Sequence, residues 1–266
     1  MFQQFSMLRP RIIPCLLISN GGLVKTVKFK SPKYVGDPIN AVKIFNEKKA
    51  DELIVLDIDA TKKSIKPNFN LIRKLAAECR MPLCYGGGIT TVEEAEMLVD
   101  IGVEKVAISS AVIENPLLLE KLVSAVGSQS VVVVLDILEQ KNFLSKKYLI
   151  RTKNGTKTHN DELFSLVKKI QDLGVGEIVL NSIDRDGVMQ GYDFELVDKI
   201  KPLINVPLTI LGGAGSLEDI KKLFDRFGII GASAGSLFVF KGKYRAVLIN
   251  YPSSENKMKL YLNTIN

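Results

Sequence analysis

The chain alternates between short apolar runs and longer segments with apolar residues at helical spacing. Eight runs rich in β-branched residues are apolar on both faces, as is typical of parallel strands covered by helices. They lie at residues 11–18, 52–58, 83–87, 105–109, 130–136, 177–181, 208–212 and 229–233. Helical spacing follows most of them, for example at residues 92–101, 116–126, 161–173 and 217–227. Eight such units without an obvious linker predict a closed (β/α)8 TIM barrel, with an open doubly wound sheet as the alternative.

The chain also repeats itself at a fixed distance. The second and sixth runs begin alike, with Glu52 and Glu177 125 positions apart, and the glycine-rich ends of the third and seventh runs keep that distance. A second alignment superimposes the first run on the fifth and equates Leu17 with Asp136, 119 positions later. Two duplicated half-barrels of four units explain both regularities. The repeat therefore favours the closed barrel, as one domain over residues 1–266.

Small residues cluster in the turns that follow four of the runs, at the end of the barrel where this fold carries its active sites. They are Gly87, Gly88, Ser109 and Ser110 in one half, and Gly212, Gly213, Gly235 and Ser236 in the other. Without a Cβ atom, glycine lets backbone amides close on phosphate oxygens, helped by a following helix N-terminus. One such turn alone is more simply a tight turn. Two symmetric pairs predict two phosphate sites, and hence a small ligand phosphorylated at both ends.

Candidate acids and bases stand at the same end of the barrel: Asp57, Asp59, Asp136, Asp184 and Asp186. Asp136 ends an apolar run, where partial desolvation raises the pKa of a carboxyl group towards the acid–base range. We therefore predict Asp136 to be catalytic, with a structural role satisfied by backbone amides as the alternative. Asp184 and Asp186 flank Arg185 in a charged loop, where local ion pairing is an equally good interpretation.

Charged residues open four of the strands at the opposite end of the barrel. They are Arg11, Glu52, Lys105 and Glu177, two of each sign. Buried charges are tolerated only when they are paired, so these four side chains are expected to form a ring across the barrel floor. The pattern alone favours a stabilising plug, and a gate on an axial passage is the sharper alternative.

Composition mainly excludes functions. The net charge of +7 comes from lysines spread over helix faces, without tryptophan, which argues against nucleic-acid binding but suits an anionic substrate. No apolar run reaches the roughly 18 residues of a membrane-spanning helix. The three cysteines form no CxxC pair, which indicates reduced thiols and a cytoplasmic location. The single histidine, His159, lies in a polar loop and is expected to be solvated; no motif indicates a metal or cofactor.

The order of motifs resembles the cyclase subunit of imidazole glycerol phosphate synthase, the HisF family. The matching segments are RIIPCL (11–16), GDP (36–38), DEL (51–53), LDI (56–58), GGGI (86–89), ENP (114–116), GSQSV (127–131), SIDRDG (182–187), GYD (191–193) and GGAG (212–215). They run in constant order from about residue 8 to residue 240. The resemblance implies a heterodimer with a HisH-like glutaminase, whose ammonia is used to cyclise a bisphosphorylated ribonucleotide in histidine biosynthesis.

The resemblance also assigns roles to individual residues. The family's ammonia gate matches Arg11, Glu52, Lys105 and Glu177, all of which are retained. Its second catalytic aspartate matches Asp136, but its first matches Leu17, and leucine can neither donate nor accept a proton. Ser109 stands where the family usually has asparagine, and Asn181 where it has threonine.

Three functions are compatible with these residues. The leading hypothesis is a HisF-type synthase subunit, a lyase that cyclises its substrate. The second is an impaired paralogue that serves as ammonia conduit and glutaminase activator for a sugar amidotransferase of surface-polysaccharide synthesis, which Leu17 favours. The third, a related sugar isomerase of histidine biosynthesis, shares the duplicated barrel but also needs an aspartate near position 17.

Overall fold

The computed structural model describes residues 9–141 and 146–261, and its centre is a ring of eight parallel strands. They are β1 (Arg11–Ser19), β2 (Leu53–Asp57), β3 (Leu83–Gly86), β4 (Lys105–Ile108), β5 (Val131–Lys141), β6 (Glu177–Ser182), β7 (Leu208–Leu211) and β8 (Gly231–Ala234). Each strand pairs with the next, and β8 pairs with β1, which closes the ring. The predicted (β/α)8 barrel is therefore confirmed, and the open sheet is wrong.

Helices cover the outside of the barrel. They are α1 (Pro38–Glu47), α2 (Ala60–Lys63), α3 (Phe69–Glu78), α4 (Val92–Asp100), α5 (Ser110–Glu114), α6 (Pro116–Val126), α7 (Leu163–Asp172), α8 (Phe194–Ile200), α9 (Leu217–Phe227), α10 (Ser236–Val239) and α11 (Ser254–Tyr261). Short 3-10 turns lie at Ser128–Ser130, Ile183–Arg185 and Lys201–Leu203. Within the described ranges, no helix is long and apolar enough to cross a membrane.

The two halves of the barrel share their local folding signals. Helix α4 begins with a capping box in which Thr91 and Glu94 satisfy each other's backbone amides, and α9 begins with the same device at Ser216 and Asp219. The two capping boxes are 125 positions apart, which is the spacing of the sequence repeat. The repeat is therefore expressed in matching helix starts as well as in matching strands.

Apolar side chains fill the inside of the barrel as well as the space between strands and helices. Side chains alternate along each strand, so that one set faces the helices and the other faces the axis. The axial set is Ile13, Cys15, Ile54, Cys84, Ala107, Val132, Val134, Val179 and Leu211. Leu17 and Leu56 pack on it from the side of the strand ends. The interior of the barrel, here called the lumen, is therefore almost entirely apolar.

Two opposite strands continue beyond the barrel as antiparallel hairpins. Strand β1 pairs with Gly22–Val27, which turns back into Lys30–Gly36, and β5 pairs with Lys146–Thr152, which is followed by Lys157–Thr158. Three strands lie between β1 and β5 in each direction around the ring of eight, so the two strands lie across the barrel from each other. Both hairpins therefore rise beside the mouth of the barrel, which is the end formed by the last residues of the strands.

Most element boundaries lie within two residues of the sequence expectation, but three features differ. Strand β5 extends to Lys141 because it runs on into its hairpin. The pair Phe240–Lys241 and Ala246–Val247 and the helix α11 follow the eighth unit and were not expected from the pattern. His159, expected to be solvated, is partly exposed, and its Nε2 lies 3.0 Å from the Thr152 hydroxyl.

Candidate functional site

A cavity of about 530 Å³ occupies the mouth of the barrel. Its lining includes all eight predicted phosphate-binding residues: Gly87, Gly88, Ser109, Ser110, Gly212, Gly213, Gly235 and Ser236. Leu17 and Asp136 line the same cavity. The structure therefore brings together all the predicted phosphate-binding residues and three of the five candidate aspartates, Asp57, Asp136 and Asp186, whereas Asp59 and Asp184 lie outside the lining. A small ligand in this cavity would lie between the two groups of turns.

The first group of turns, called cradle one, follows β3 and β4. Gly87 adopts a φ of +120°, and a Cβ atom there would collide with the carbonyl oxygen of Asp57. Only glycine fits this close approach without strain. The Ser109 hydroxyl is buried and has no hydrogen-bond partner among the described residues, which leaves it free to donate to an anion in the cavity.

The second group, called cradle two, follows β7 and β8 and has the same character. Gly213 adopts a φ of +114°, and a Cβ atom there would collide with the carbonyl oxygen of Gly191. Gly235 lies directly against the ammonium group of Lys25. Cradle two therefore combines an open backbone with a nearby cation.

Lys25 is the functional candidate that the sequence analysis missed. It is only 5% exposed, and its Nζ donates a hydrogen bond of 2.5 Å to the carbonyl oxygen of Cys15. Burial lowers the pKa of this ammonium group, against the opposing charge of Asp186. The pattern that could have indicated it is a single charge within the apolar stretch Leu23–Val27. A lysine at such a position either extends to solvent or contributes to a binding site.

Asp136 is the half-buried acid of the mouth. Burial raises its pKa to about 7, although a hydrogen bond of 2.8 Å from Asn181 Nδ2 to Asp136 Oδ1 favours the charged form. The Oδ1 atom of Asn181 is itself buried without a partner among the described residues. A carboxyl group that is half-protonated near neutral pH suits proton transfer in either direction.

Leu17 occupies the corresponding position on the opposite strand. It pairs with Val24 where β1 becomes a hairpin, just as Asp136 pairs with Arg151 where β5 does. Leu17 and Leu56 together form an apolar wall on this side of the cavity. The mouth thus carries a carboxyl side chain at Asp136 and an aliphatic side chain at the corresponding position, Leu17.

The remaining candidate aspartates serve the turns. Asp57 accepts hydrogen bonds from the amides of Asp59 and Ala60, although burial raises its pKa. Asp59 and Asp184 likewise hold neighbouring loops, through Lys63 and the amide of Glu139. Asp186 accepts from the Thr26 hydroxyl and the Phe29 amide, and so fixes the hairpin that carries Lys25.

Local pairing of Arg185 with a neighbouring aspartate is not what the structure shows. Its guanidinium group donates instead to the carbonyl oxygen of Gly191, 3.3 Å away. That contact holds the segment whose backbone lies against Gly213. Arg185 therefore supports cradle two rather than an acid–base group.

The four charged residues at the strand beginnings form a closed ring of ion pairs, called the floor ring. Arg11 lies 2.5 Å from Glu52 and 2.7 Å from Glu177, and Lys105 lies 2.8 Å from both glutamates. The Thr209 hydroxyl adds a hydrogen bond of 2.6 Å to Glu177. The predicted ring across the floor is therefore present, with signs alternating around it.

The charges of the floor ring attract one another strongly enough to shift the pKa values of its members. Burial opposes the charge on Glu177, yet Arg11 and Lys105 together lower its pKa to about 2. The pKa of Lys105 is raised, because the two glutamates outweigh the effect of its burial. The glutamate side chains are at most 5% exposed, whereas those of Arg11 and Lys105 are 24% and 19% exposed. The cations are therefore the members that a molecule below the floor can reach.

The arrangement as a whole is a charged floor, an apolar lumen and a mouth lined by two glycine-rich cradles in series. Small neutral molecules are compatible with the lumen, whereas ions are strongly disfavoured there. Within residues 9–141 and 146–261, no group of three or more histidine, cysteine or acidic side chains is placed to hold a metal ion.

Comparison with known proteins agrees with this arrangement. A family model described as histidine biosynthesis protein matches residues 11–245. A Vibrio vulnificus protein, provisionally named imidazole glycerol phosphate synthase subunit hisF3, is 58% identical over 96% of this chain and 97% of its own length. A provisionally named HisF subunit from Leptospira borgpetersenii is 55% identical over 96% of this chain and its full length. The HisF subunit of Saccharolobus solfataricus is 37% identical over 86% of this chain and 89% of its own. The chain therefore belongs to the histidine biosynthesis protein family and, within it, to the HisF family.

Proposed function

We propose that this chain is the synthase subunit of a glutamine amidotransferase, receives ammonia from a HisH-like glutaminase and acts on a bisphosphorylated ribonucleotide. The observation that carries the proposal is the complete floor ring, which opens onto an apolar lumen that ends between two anion cradles. A heterodimer with the glutaminase at the floor would place the source of ammonia at one end of the lumen and its acceptor at the other.

The apolar lumen behind the floor ring suits ammonia better than ions. Uncharged ammonia loses little on entering an apolar passage, whereas ammonium would have to shed its hydration. Opening the ring requires one cation to leave two glutamates, and Lys105 has the more flexible side chain of the two. A partner that offers a carboxylate or carbonyl group below Lys105 would favour the open form.

The mouth supports a ligand with two phosphate groups. Ser109 and the amides around Gly87 would bind one phosphate, and the turn at Gly235 with Lys25 would bind the other. The rest of the ligand would then lie across the lumen exit, next to Asp136. This geometry puts the acceptor directly in the path of emerging ammonia.

A second candidate function is favoured by Leu17. Loss of one positioned acid or base typically costs about 10²–10⁴-fold in rate, so a reaction that needs both mouth groups would be slow here. In that case the barrel would serve as a conduit and activator for the glutaminase, and ammonia would be used by a sugar amidotransferase of surface-polysaccharide synthesis. The floor ring and the lumen would be needed equally for both functions.

One reconstitution separates the two functions. The purified complex with its glutaminase is given glutamine and the bisphosphorylated ribonucleotide of the histidine pathway, and both glutamate and imidazole product are measured. The synthase function predicts glutamine hydrolysis together with imidazole product, formed slowly because Leu17 replaces one acid–base group, from glutamine or from free ammonium salts. Glutamine hydrolysis without any imidazole product would overturn it in favour of the conduit. Robust cyclisation would overturn the conduit function, and failure of the barrel to raise glutaminase activity would overturn both.

A further inference from the structure

Helix α11 lies outside the matched family model, which ends at residue 245, yet it reaches the barrel floor. Leu260 and Tyr261 are buried, and the Tyr261 ring packs on Phe224 at a centroid distance of 5.8 Å. Two polar side chains of the helix, those of Lys257 and Tyr261, contact a single carboxylate group. That carboxylate belongs to Asp51, the residue before Glu52 of the floor ring.

The Asp51 carboxylate accepts hydrogen bonds from two parts of the chain, the beginning of β1 and helix α11. Its Oδ2 atom accepts from the Ile12 amide at 3.0 Å and from the Tyr261 hydroxyl at 2.6 Å. Its Oδ1 atom accepts from Lys257 Nζ at 2.8 Å. The Tyr251 hydroxyl completes the cluster: it accepts from the Asp51 amide at 3.1 Å and donates to the Ile12 carbonyl at 2.8 Å.

This cluster stands where the backbone pairing of β1 and β2 is absent. The ladder between these strands runs from Cys15 opposite Ile54 towards the mouth, and the same register would place Ile12 opposite Asp51. At that point the Asp51 carboxylate and the Tyr251 hydroxyl take over the polar groups of Ile12. The relative position of the two strand beginnings therefore depends on side chains rather than on a sheet ladder.

Each strand beginning carries one member of the floor ring. Arg11 precedes Ile12, and Glu52 follows Asp51, so the cluster fixes the two backbone positions next to the ion pair of 2.5 Å. Buried ion pairs are stabilising only when their geometry is closely held, because desolvation is large. A shift of one strand beginning against the other would therefore loosen the ring.

We propose that Asp51 is a positioning residue for the floor ring, and that α11 holds it in place through Lys257 and Tyr261. The functional meaning of this inference, control over ammonia passage, rests on the proposed function. The positioning itself does not, because the tightness of the ring is measurable on the isolated chain.

Two native thiols make that measurement possible. Cys84 lies within the field of Glu52, Lys105 and Glu177, whereas Cys15 lies within that of Lys25, Asp136 and Asp186. Both are buried in the lumen, one close to the floor and the other close to the mouth. The rate at which a small neutral thiol reagent modifies Cys84 relative to Cys15 therefore reports the opening of the floor.

The experiment follows modification by methyl methanethiosulfonate with peptide mass spectrometry. In Asp51→Asn and Lys257→Met we expect the Cys84 rate to rise by about 2- to 30-fold relative to Cys15, the range for residues coupled through a contact network. Tyr261→Phe, which removes only the hydroxyl group, is expected to act in the same direction and keeps α11 packed. Lys257→Arg retains the cation, so its Cys84 rate relative to Cys15 should equal that of the unmodified chain.

A matched control separates positioning from general loosening. Lys259→Met breaks an exposed ion pair with Glu255 on the same helix, leaves the Asp51 contacts in place and should leave the ratio of the Cys84 and Cys15 rates unchanged. An unchanged Cys84 rate in the Asp51 and Lys257 variants, or equal acceleration of both thiols, would overturn the inference. The proposed function is tested separately with Glu52→Gln in the complex with the glutaminase. If this variant opens the floor to the reagent but leaves the transfer of glutamine-derived ammonia unaltered, the proposed function fails while the positioning role of Asp51 stands.

Discussion

Leu17 and Asp136 face each other across the mouth, each at the point where its strand leaves the barrel as an antiparallel hairpin. Both residues stand at the first antiparallel pair of their hairpin, and a glycine-rich cradle lies on each side of the mouth. Their chemistry is not, because only one of the two can carry a proton. The mouth thus combines a duplicated strand-and-hairpin arrangement with a carboxyl group on one side only.

Restoring the missing carboxylate is expected to restore cyclisation. Leu17→Asp should raise the rate of imidazole formation by up to about 10²–10⁴-fold, the usual contribution of one positioned acid or base. Product formation from ammonium salts, which bypasses the glutaminase, is the measurement. Leu56→Asp is the matched control, because it adds a carboxylate to the same apolar wall at a place that has no acid opposite it. Equal gains in both variants would contradict a specific role for position 17.

Both cradles are expected to bind anions. Ser109→Ala and Ser236→Ala each remove one hydroxyl group from the cavity lining, and a hydrogen bond to a charged group contributes about 1.5–3 kcal/mol. Calorimetric titration with a bisphosphorylated ribonucleotide should therefore show a loss of at least about tenfold in affinity for each variant. Ser128→Ala, which lies away from the mouth, is the control. An affinity that ignores one of the two cradles would count against a doubly phosphorylated ligand.

The buried acid should make the protein less stable as pH rises. The pKa of Asp136 is raised from 3.8 to about 7, so the folded state binds the proton more tightly than the unfolded state. This contribution to stability is fully present below pH 4 and is lost as pH rises through about 7. Asp136→Asn should therefore be more stable than the unmodified chain at pH 8, by about 4 kcal/mol at most, and should gain little at pH 4. Urea unfolding at both pH values tests this, with Asp172→Asn as the surface control; a gain independent of pH would contradict it.

Breaking the floor ring should be costly. Lys105→Met leaves Arg11 alone between two buried glutamates, and removal of one partner from a buried ion pair costs about 3–5 kcal/mol. Lys259→Met is the matched control, because it breaks an exposed pair with Glu255 on α11 that contributes about 0.5 kcal/mol or less. The difference between the two free energies of unfolding is the measurement. A cost below about 1 kcal/mol for Lys105→Met would show that the ring is not held as tightly as its geometry indicates.

Sequence patterns were sufficient for features that depend on local chemistry. Gly87 and Gly213 need a left-handed backbone, and Arg11 and Glu177 open apolar strands, so each position indicated its own role. Lys25 was not recognisable in this way, because its place depends on a hairpin that folds back over Gly235. The α11 contacts were invisible for a similar reason: they join residues about 210 positions apart, and no local pattern specifies such a partner.

The twofold construction of the barrel bears on how the molecule assembles. The half that ends with β4 contributes Arg11, Glu52 and Lys105 to the floor ring, a net charge of +1, and the other half contributes Glu177, a charge of −1. Each half has its own capping box, so local structure can begin in either half independently. The ring cannot form until the halves meet. We therefore expect Glu177 to complete the ring when the halves dock, because only the correct register brings its carboxylate between Arg11 and Lys105 and neutralises all four charges.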